Sequence, residues 1–160
     1  MIFVTLGSQK FPFDRLLRKL DQLIDSGILT EEVVAQTGYS TYEPRNFQAI
    51  PFLDRETFAD YMQKTDMVIT HAGTGAIIGG VKAGKKVIAV PRLPQYGEHV
   101  DDHQLQIVSQ FGEMGLIQPC YEVEALEVAI GTARETQYLP YVSNTACLLG
   151  DIQDYLESVL

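Results

Sequence analysis

The chain is poor in positive charge, in cysteine and in long apolar runs, and each shortage removes a class of function. Lys and Arg number 12 against 21 Asp and Glu, for a formal net charge of -9. A protein that grips nucleic acid by neutralising phosphates, or an anionic membrane through a basic face, needs the opposite balance. Basic residues must therefore act locally. No apolar run approaches the ~18 residues of a membrane span. The amino terminus, MIFVTLGSQ, enters a strand-like run without a charged leader or a small-residue cleavage site, so the expected location is cytoplasmic, with any membrane association through a partner. Cys120 and Cys147 have neither a CxxC partner nor a histidine-rich spacing, which reads as two buried or half-buried thiols. There is no internal repeat, low-complexity tract or linker. At 160 residues the chain fits one domain, 1–160, long enough for a real core and too short for most complete two-domain enzymes.

What is present alternates. IFVTLG is a short β-branched run ending in glycine, and FDRLLRKLDQLIDSG follows with Leu16, Leu17, Leu20, Leu23 and Ile24 at helical spacing before Gly27. EVVAQTG and FQAIPF read as strands, DRETFADYMQKT as a helix capped by Asp54, and DMVITHAG as a strand. A small-residue helix (TGAIIGGVKAG), a strand (KKVIAVP), a helix (DDHQLQIVSQFGEMG), a brief strand (LIQP) and a helix (EVEALEVAIGTARE) complete the pattern. This order predicts an α/β fold, a Rossmann-like parallel sheet with helices on both faces. Ligands of such sheets bind outside the carboxyl ends of the strands. The unusual residues fall at those ends: Gly7 and Ser8, Gly38 to Ser40, His71 to Gly75, and Arg92 to Gln104.

The segment Val68 to Gln104 gathers all three histidines of the chain. In THAGTG, Gly73 and Gly75 allow close backbone approach, and a helix starting near Thr74 offers free N–H groups and a positive dipole end, which suits a diphosphate. The same glycines could serve only a tight strand-to-helix turn. His71 could bond a phosphate or nucleobase, or cap that turn. In PRLPQYGEHVDDHQ, Arg92 offers a fixed positive charge, while Asp101 and Asp102 suit a helix amino terminus. Glu98, His99, His103 and Gln104 remain. His99 and His103 stand four apart, but the HExxH order of a metal helix is missing. Sugar hydroxyls, which need donors and acceptors at short range, match carboxylate, imidazole and carboxamide better. No metal or cofactor is expected.

Together MIFVTLGS, VITHAGTG, KKVIAVPR and YGEHVDDHQ resemble the glycosyltransferase family 28 carboxyl-terminal domain. More narrowly they are similar to the small cytosolic subunit of two-part bacterial exopolysaccharide and capsule glycosyltransferases. That subunit is related to the soluble half of the eukaryotic transferase that adds the second N-acetylglucosamine to dolichol-linked oligosaccharide. The resemblance implies the donor-binding, carboxyl-terminal half of a GT-B enzyme, whose other half would be a membrane-anchored, acceptor-binding subunit. The donor would be a UDP-sugar, with galactose favoured or N-acetylglucosamine, and the acceptor a polyprenyl-diphosphate-linked sugar held by that partner.

Carried over by position, the turn after THAG would face the diphosphate, with Arg92 sharing the leaving-group charge. Asp101, His103 and Gln104 would meet the sugar, Gly7 and Ser8 would line the cleft, and Tyr39 and Ser40 would sit near the nucleobase or cleft. Many single-chain relatives hold the ribose with a glutamate where this chain has Gly79, leaving Glu98 as a substitute. The expected chemistry is inverting hexosyl transfer, active only with the partner. His99 and Glu98 are candidates for the general base, which the partner could equally supply. A noncatalytic enhancer of a membrane-bound transferase is the alternative. The segment 143–160 carries an apolar stripe, Leu148, Leu149, Ile152, Tyr155, Leu156, Val159 and Leu160, expected to form a helix that packs on its own domain or docks to the partner.

Overall fold

The computed structural model describes residues 1–7, 11–96 and 103–139. Six parallel strands form one sheet in the order β3-β2-β1-β4-β5-β6. They are β1 (Ile2–Thr5), β2 (Val33–Gln36), β3 (Gln48–Ile50), β4 (Met67–His71), β5 (Lys86–Val90) and β6 (Gln118–Pro119). The helices are α1 (Asp14–Asp25), α2 (Arg55–Lys64), α3 (Thr74–Lys82), α4 (His103–Glu113) and, after β6, α5 (Leu126–Glu135). The expected alternation is thus borne out, with the order of a doubly wound Rossmann sheet.

Period-two side chains on strands covered on both faces produce two cores. Ile2, Val4, Met67, Ile69, Ile88 and Val90 point toward α1 and α5, where Leu16, Leu17, Leu20, Leu126 and Ile130 meet them. Phe3, Val68, Val87 and Ala89 point the other way, onto Met62, Ile77, Val81, Val108 and Phe111 of α2, α3 and α4. Gly80 lets α3 lie against the sheet, because a Cβ there would stand 2.6 Å from a Val87 methyl. Helix boundaries follow local chemistry. Asp54 caps α2 by accepting the Thr57 N–H at 2.7 Å, and Gly27, at φ +77°, turns the chain after α1.

One element differs in form from its expectation. EVEALEVAIGTARE begins with a 3₁₀ turn, Val123–Ala125, before α5. Glu122 is extended and the Ala125 N–H bonds its carbonyl at 3.0 Å, a tighter entry common at helix starts. Cys120 is buried, and burial pushes its thiol up to about 11. Among the described residues no helix is long and apolar enough to cross a membrane. Cys147 and the 143–160 segment lie outside the described residues.

Candidate functional site

The chain runs outward from β1 to β2 and β3, then crosses back to β4 on the other side of β1. Loops leaving β1 and β4 therefore diverge and open a crevice at the carboxyl edge. A cavity of about 450 Å³ occupies it, lined by Thr5, Gly7, Gln36, Phe52, Leu53, Phe58, His71, Gly73, Gly75 and Ala76.

Backbone and small residues form its floor. Gly7 takes φ +73°, a region open to glycine at little cost. A Cβ on Gly7 would stand 2.5 Å from His71 Nε2, and one on Gly73 would stand 2.7 Å from the same atom. The imidazole thus fills a notch between two glycines, so both positions exclude any side chain. At the other end of its ring, Nδ1 lies 3.3 Å from Gln104 Nε2. Helix α3 starts at this notch with Gly73 as its N-cap and no side-chain cap bond. Its first turn is the sort of terminus that accepts an anion.

The β2 side of the crevice is fastened by a buried carboxamide. Gln36 accepts the Thr5 hydroxyl at 2.9 Å, and its NH₂ donates to Gly7 O at 3.1 Å and Pro51 O at 2.9 Å. This holds the loop after β3 beside the loop after β1. Phe52, on that loop, is half exposed and meets Tyr39 edge to face, with ring centroids 5.4 Å apart. An exposed aromatic pair at a cavity rim offers a planar group a stacking surface.

Farther out, residues 39–46 are strapped to α1 by carboxylates. Asp14 accepts the N–H groups of Thr41 and Tyr42 and the Thr41 hydroxyl at 2.6–2.9 Å. Asp21 accepts the Tyr42 hydroxyl at 2.6 Å and the Arg45 and Asn46 N–H groups. Burial alone would push the Asp21 carboxyl up, but the bonds from Tyr42, Arg45 and Asn46 outweigh it and hold the carboxyl below its ordinary value.

Of the expected site residues, Gly7, His71, Gly73 and Gly75 line the crevice. Thr74 opens α3 between two of them, and Tyr39 sits at the rim on Phe52. Four are placed elsewhere. Arg92 does not face the crevice: it is 1% exposed, its guanidinium donates to Leu6 O and to Phe11 O, and it stacks over the Phe13 ring. Two backbone carbonyls from the segment after β1 thus draw it inward. Gln104, expected at the sugar, is 3% exposed, and its Oε1 accepts the Arg92 N–H at 2.8 Å and the Ala72 N–H at 3.3 Å. Ser40 accepts the Phe13 N–H at 2.9 Å and so sets the entry of α1. His103 is the first residue of α4 and half buried, and is not among the residues lining the crevice. Ser8, Glu98, His99 and Asp101 lie outside the described residues. Gly79 is exposed on α3, and a side chain there would meet nothing within 4 Å.

Sequence reasoning missed Thr5, Gln36, Phe52, Leu53, Phe58 and Ala76. The strand-end rule that singled out Gly7 and His71 covers Gln36 and Phe52 as well, at the ends of β2 and β3. Phe58 of α2 lines the crevice while also meeting Phe3 in the core, with ring centroids 5.3 Å apart.

Comparison with known proteins places this geometry. Residues 1–146 match the glycosyltransferase family 28 C-terminal domain. UDP-N-acetylglucosamine transferase subunit ALG13 of Mus musculus is 27% identical over 156 residues, covering 86% of this chain and 13% of the relative. This chain thus spans a small part of that protein. The NMR solution structure of ALG13 superposes with a TM-score of 0.60 at 19% identity, covering 91% of both chains. The crystal structure of Acinetobacter baumannii MurG superposes with a TM-score of 0.57 at 20% identity, covering 94% of this chain and 49% of the other. The fold is that of the C-terminal half of a GT-B glycosyltransferase. The chain belongs to the glycosyltransferase family 28 C-terminal domain family.

Proposed function

We propose that the crevice between β1 and β4 binds a uridine-diphosphate sugar, and that the chain is the donor-binding half of an inverting glycosyltransferase completed by a second, membrane-anchored subunit. The observation that carries this reading is the cavity of about 450 Å³ into which the first turn of α3 opens beside His71 and two obligate glycines. The diphosphate sits at that turn, where N–H groups and the helix dipole balance its charge without a metal. The base stacks at the Tyr39–Phe52 rim. Among the described residues no lysine or arginine lines the cavity, and Arg92 supports the loop after β1 indirectly by fixing the carbonyl of Leu6.

The name of the mouse relative, a UDP-N-acetylglucosamine transferase subunit, weighs the donor toward N-acetylglucosamine. Galactose, and a role in exopolysaccharide or capsule synthesis on a polyprenyl-diphosphate-linked acceptor, form the narrower version suggested by the motif resemblance. The general base belongs to the partner or to His99 or Glu98. The second reading, an enhancer that activates a partner able to bind donor alone, is favoured by one feature: Gly79 provides no side chain to hold the ribose. Calorimetric titration with UDP, UDP-N-acetylglucosamine and UDP-galactose separates the two. Donor binding that weakens at least tenfold in His71→Ala supports the donor half, and a folded chain that binds none of the three supports the enhancer.

A further inference from the structure

Gln104 was expected to touch the sugar, yet its carboxamide is spent inside the protein in a way that constrains His71. The oxygen is identified by chemistry: the backbone N–H groups of Ala72 and Arg92, 3.3 and 2.8 Å away, can only donate, so the atom facing them both is the acceptor Oε1. The NH₂ is then the group turned to His71 Nδ1, at 3.3 Å. An NH₂ opposite a ring nitrogen requires that nitrogen to be the acceptor. Nδ1 therefore carries the lone pair and the ring proton sits on Nε2, the atom lodged between Gly7 and Gly73 where the crevice begins. The order of these bonds matters for the site. An Nε2 lone pair would repel a phosphate oxygen, while an Nε2–H attracts it.

We propose that Gln104 is a positioning residue that locks His71 in its Nε2–H tautomer, so that the crevice presents a donor to an anionic ligand. The lock joins three elements, because Gln104 on α4 binds the backbone just after β4 and just after β5 as well as the imidazole. Other side chains of similar length do not replace it. Methionine supplies neither group, and glutamate supplies oxygens on both sides, which calls the ring proton to Nδ1. The tautomer is a property of the unliganded chain, whereas its effect on an anion rests on the donor-site reading above.

The test is nitrogen NMR of the full chain labelled at histidine, with UDP as the probe ligand. The expected spectrum has His71 as a single neutral tautomer, Nε2 protonated and Nδ1 bare. In Gln104→Glu, Nδ1 becomes protonated; in Gln104→Met, the tautomers mix and UDP affinity falls about tenfold. A wild-type His71 protonated at Nδ1, or a tautomer unchanged in the folded Gln104→Glu protein, overturns the proposal. If Gln104→Met fails to fold, the wild-type and Gln104→Glu spectra still decide it. The expected tautomer with no UDP binding keeps the lock and overturns the donor site instead.

Discussion

The two wings of the carboxyl edge are built on opposite plans. On the β2–β3 side, carboxylates on α1 reach outward to hold the loop of residues 39–46, and Asp14 and Asp21 spend their bonding capacity on its backbone N–H groups. On the β4–β5 side, long polar side chains turn inward, Gln104 to the Ala72 and Arg92 N–H groups and Arg92 to the Leu6 and Phe11 carbonyls. In both wings charge and carboxamide act as scaffold. Among the described residues, the surface left for a ligand includes glycines, helix N–H groups, the His71 imidazole and an aromatic rim. On the proposed reading, the described side chains of the diphosphate site are neutral, and the helix N–H groups still favour an anion.

Breaking the inward wing should have the largest effect. Arg92→Met leaves the Leu6 and Phe11 carbonyls buried without their charged donor, so urea unfolding should show a loss of about 3 kcal/mol, with ligand binding falling in parallel. A loss confined to binding would instead mean that Arg92 meets the ligand.

The outward wing should respond to acid. The Asp21 carboxyl sits below its unfolded value, so its contribution is present above about pH 4 and is lost as pH falls through the folded pKa. Asp21→Asn should cost about 1–2 kcal/mol at neutral pH and flatten the decline in stability below about pH 4. An unchanged acid limb would show that other carboxylates carry it.

The notch between the wings should separate binding from stability. Gly73→Ala pushes a methyl into the His71 ring, and nucleotide affinity should fall about tenfold, equivalent to ~1.4 kcal/mol. The smallest effect is expected at Gly79, where space is open. Gly79→Glu should leave stability unchanged or raise it by up to about 1 kcal/mol, since glycine is a poor helix former. If ribose recognition is what this position lacks, UDP affinity rises as well, which calorimetry would detect.

The sheet was legible because its central strands β1, β2, β4 and β5 are apolar, β-branched runs that are almost wholly buried and its helices carry Leu and Ile at turn spacing. Even the three-residue β3 and two-residue β6 were marked by apolar runs before prolines, FQAIP and LIQP. The edge that holds the crevice was legible for the same reason, since a strand's end fixes where its next residue stands. Side-chain direction was not. Arg92 turns inward because Leu6 and Phe11, 86 and 81 positions away, bring carbonyls to it, and no local pattern records that meeting. Gln104 likewise sits next to His103 in sequence but bonds residues 12 and 32 positions off. The glycines carried more information than the charges, because an excluded Cβ leaves few residue choices while a charge can point several ways.

The most direct test of the central claim is amide NMR of the labelled full chain titrated with UDP. The account predicts the largest shifts at Gly7, Phe52, Gly73, Gly75 and Ala76, saturating together at one affinity, with little change along the amino edge of the sheet. Shifts concentrated away from the β1–β4 crevice, or no saturation at millimolar UDP in a folded chain, would contradict it.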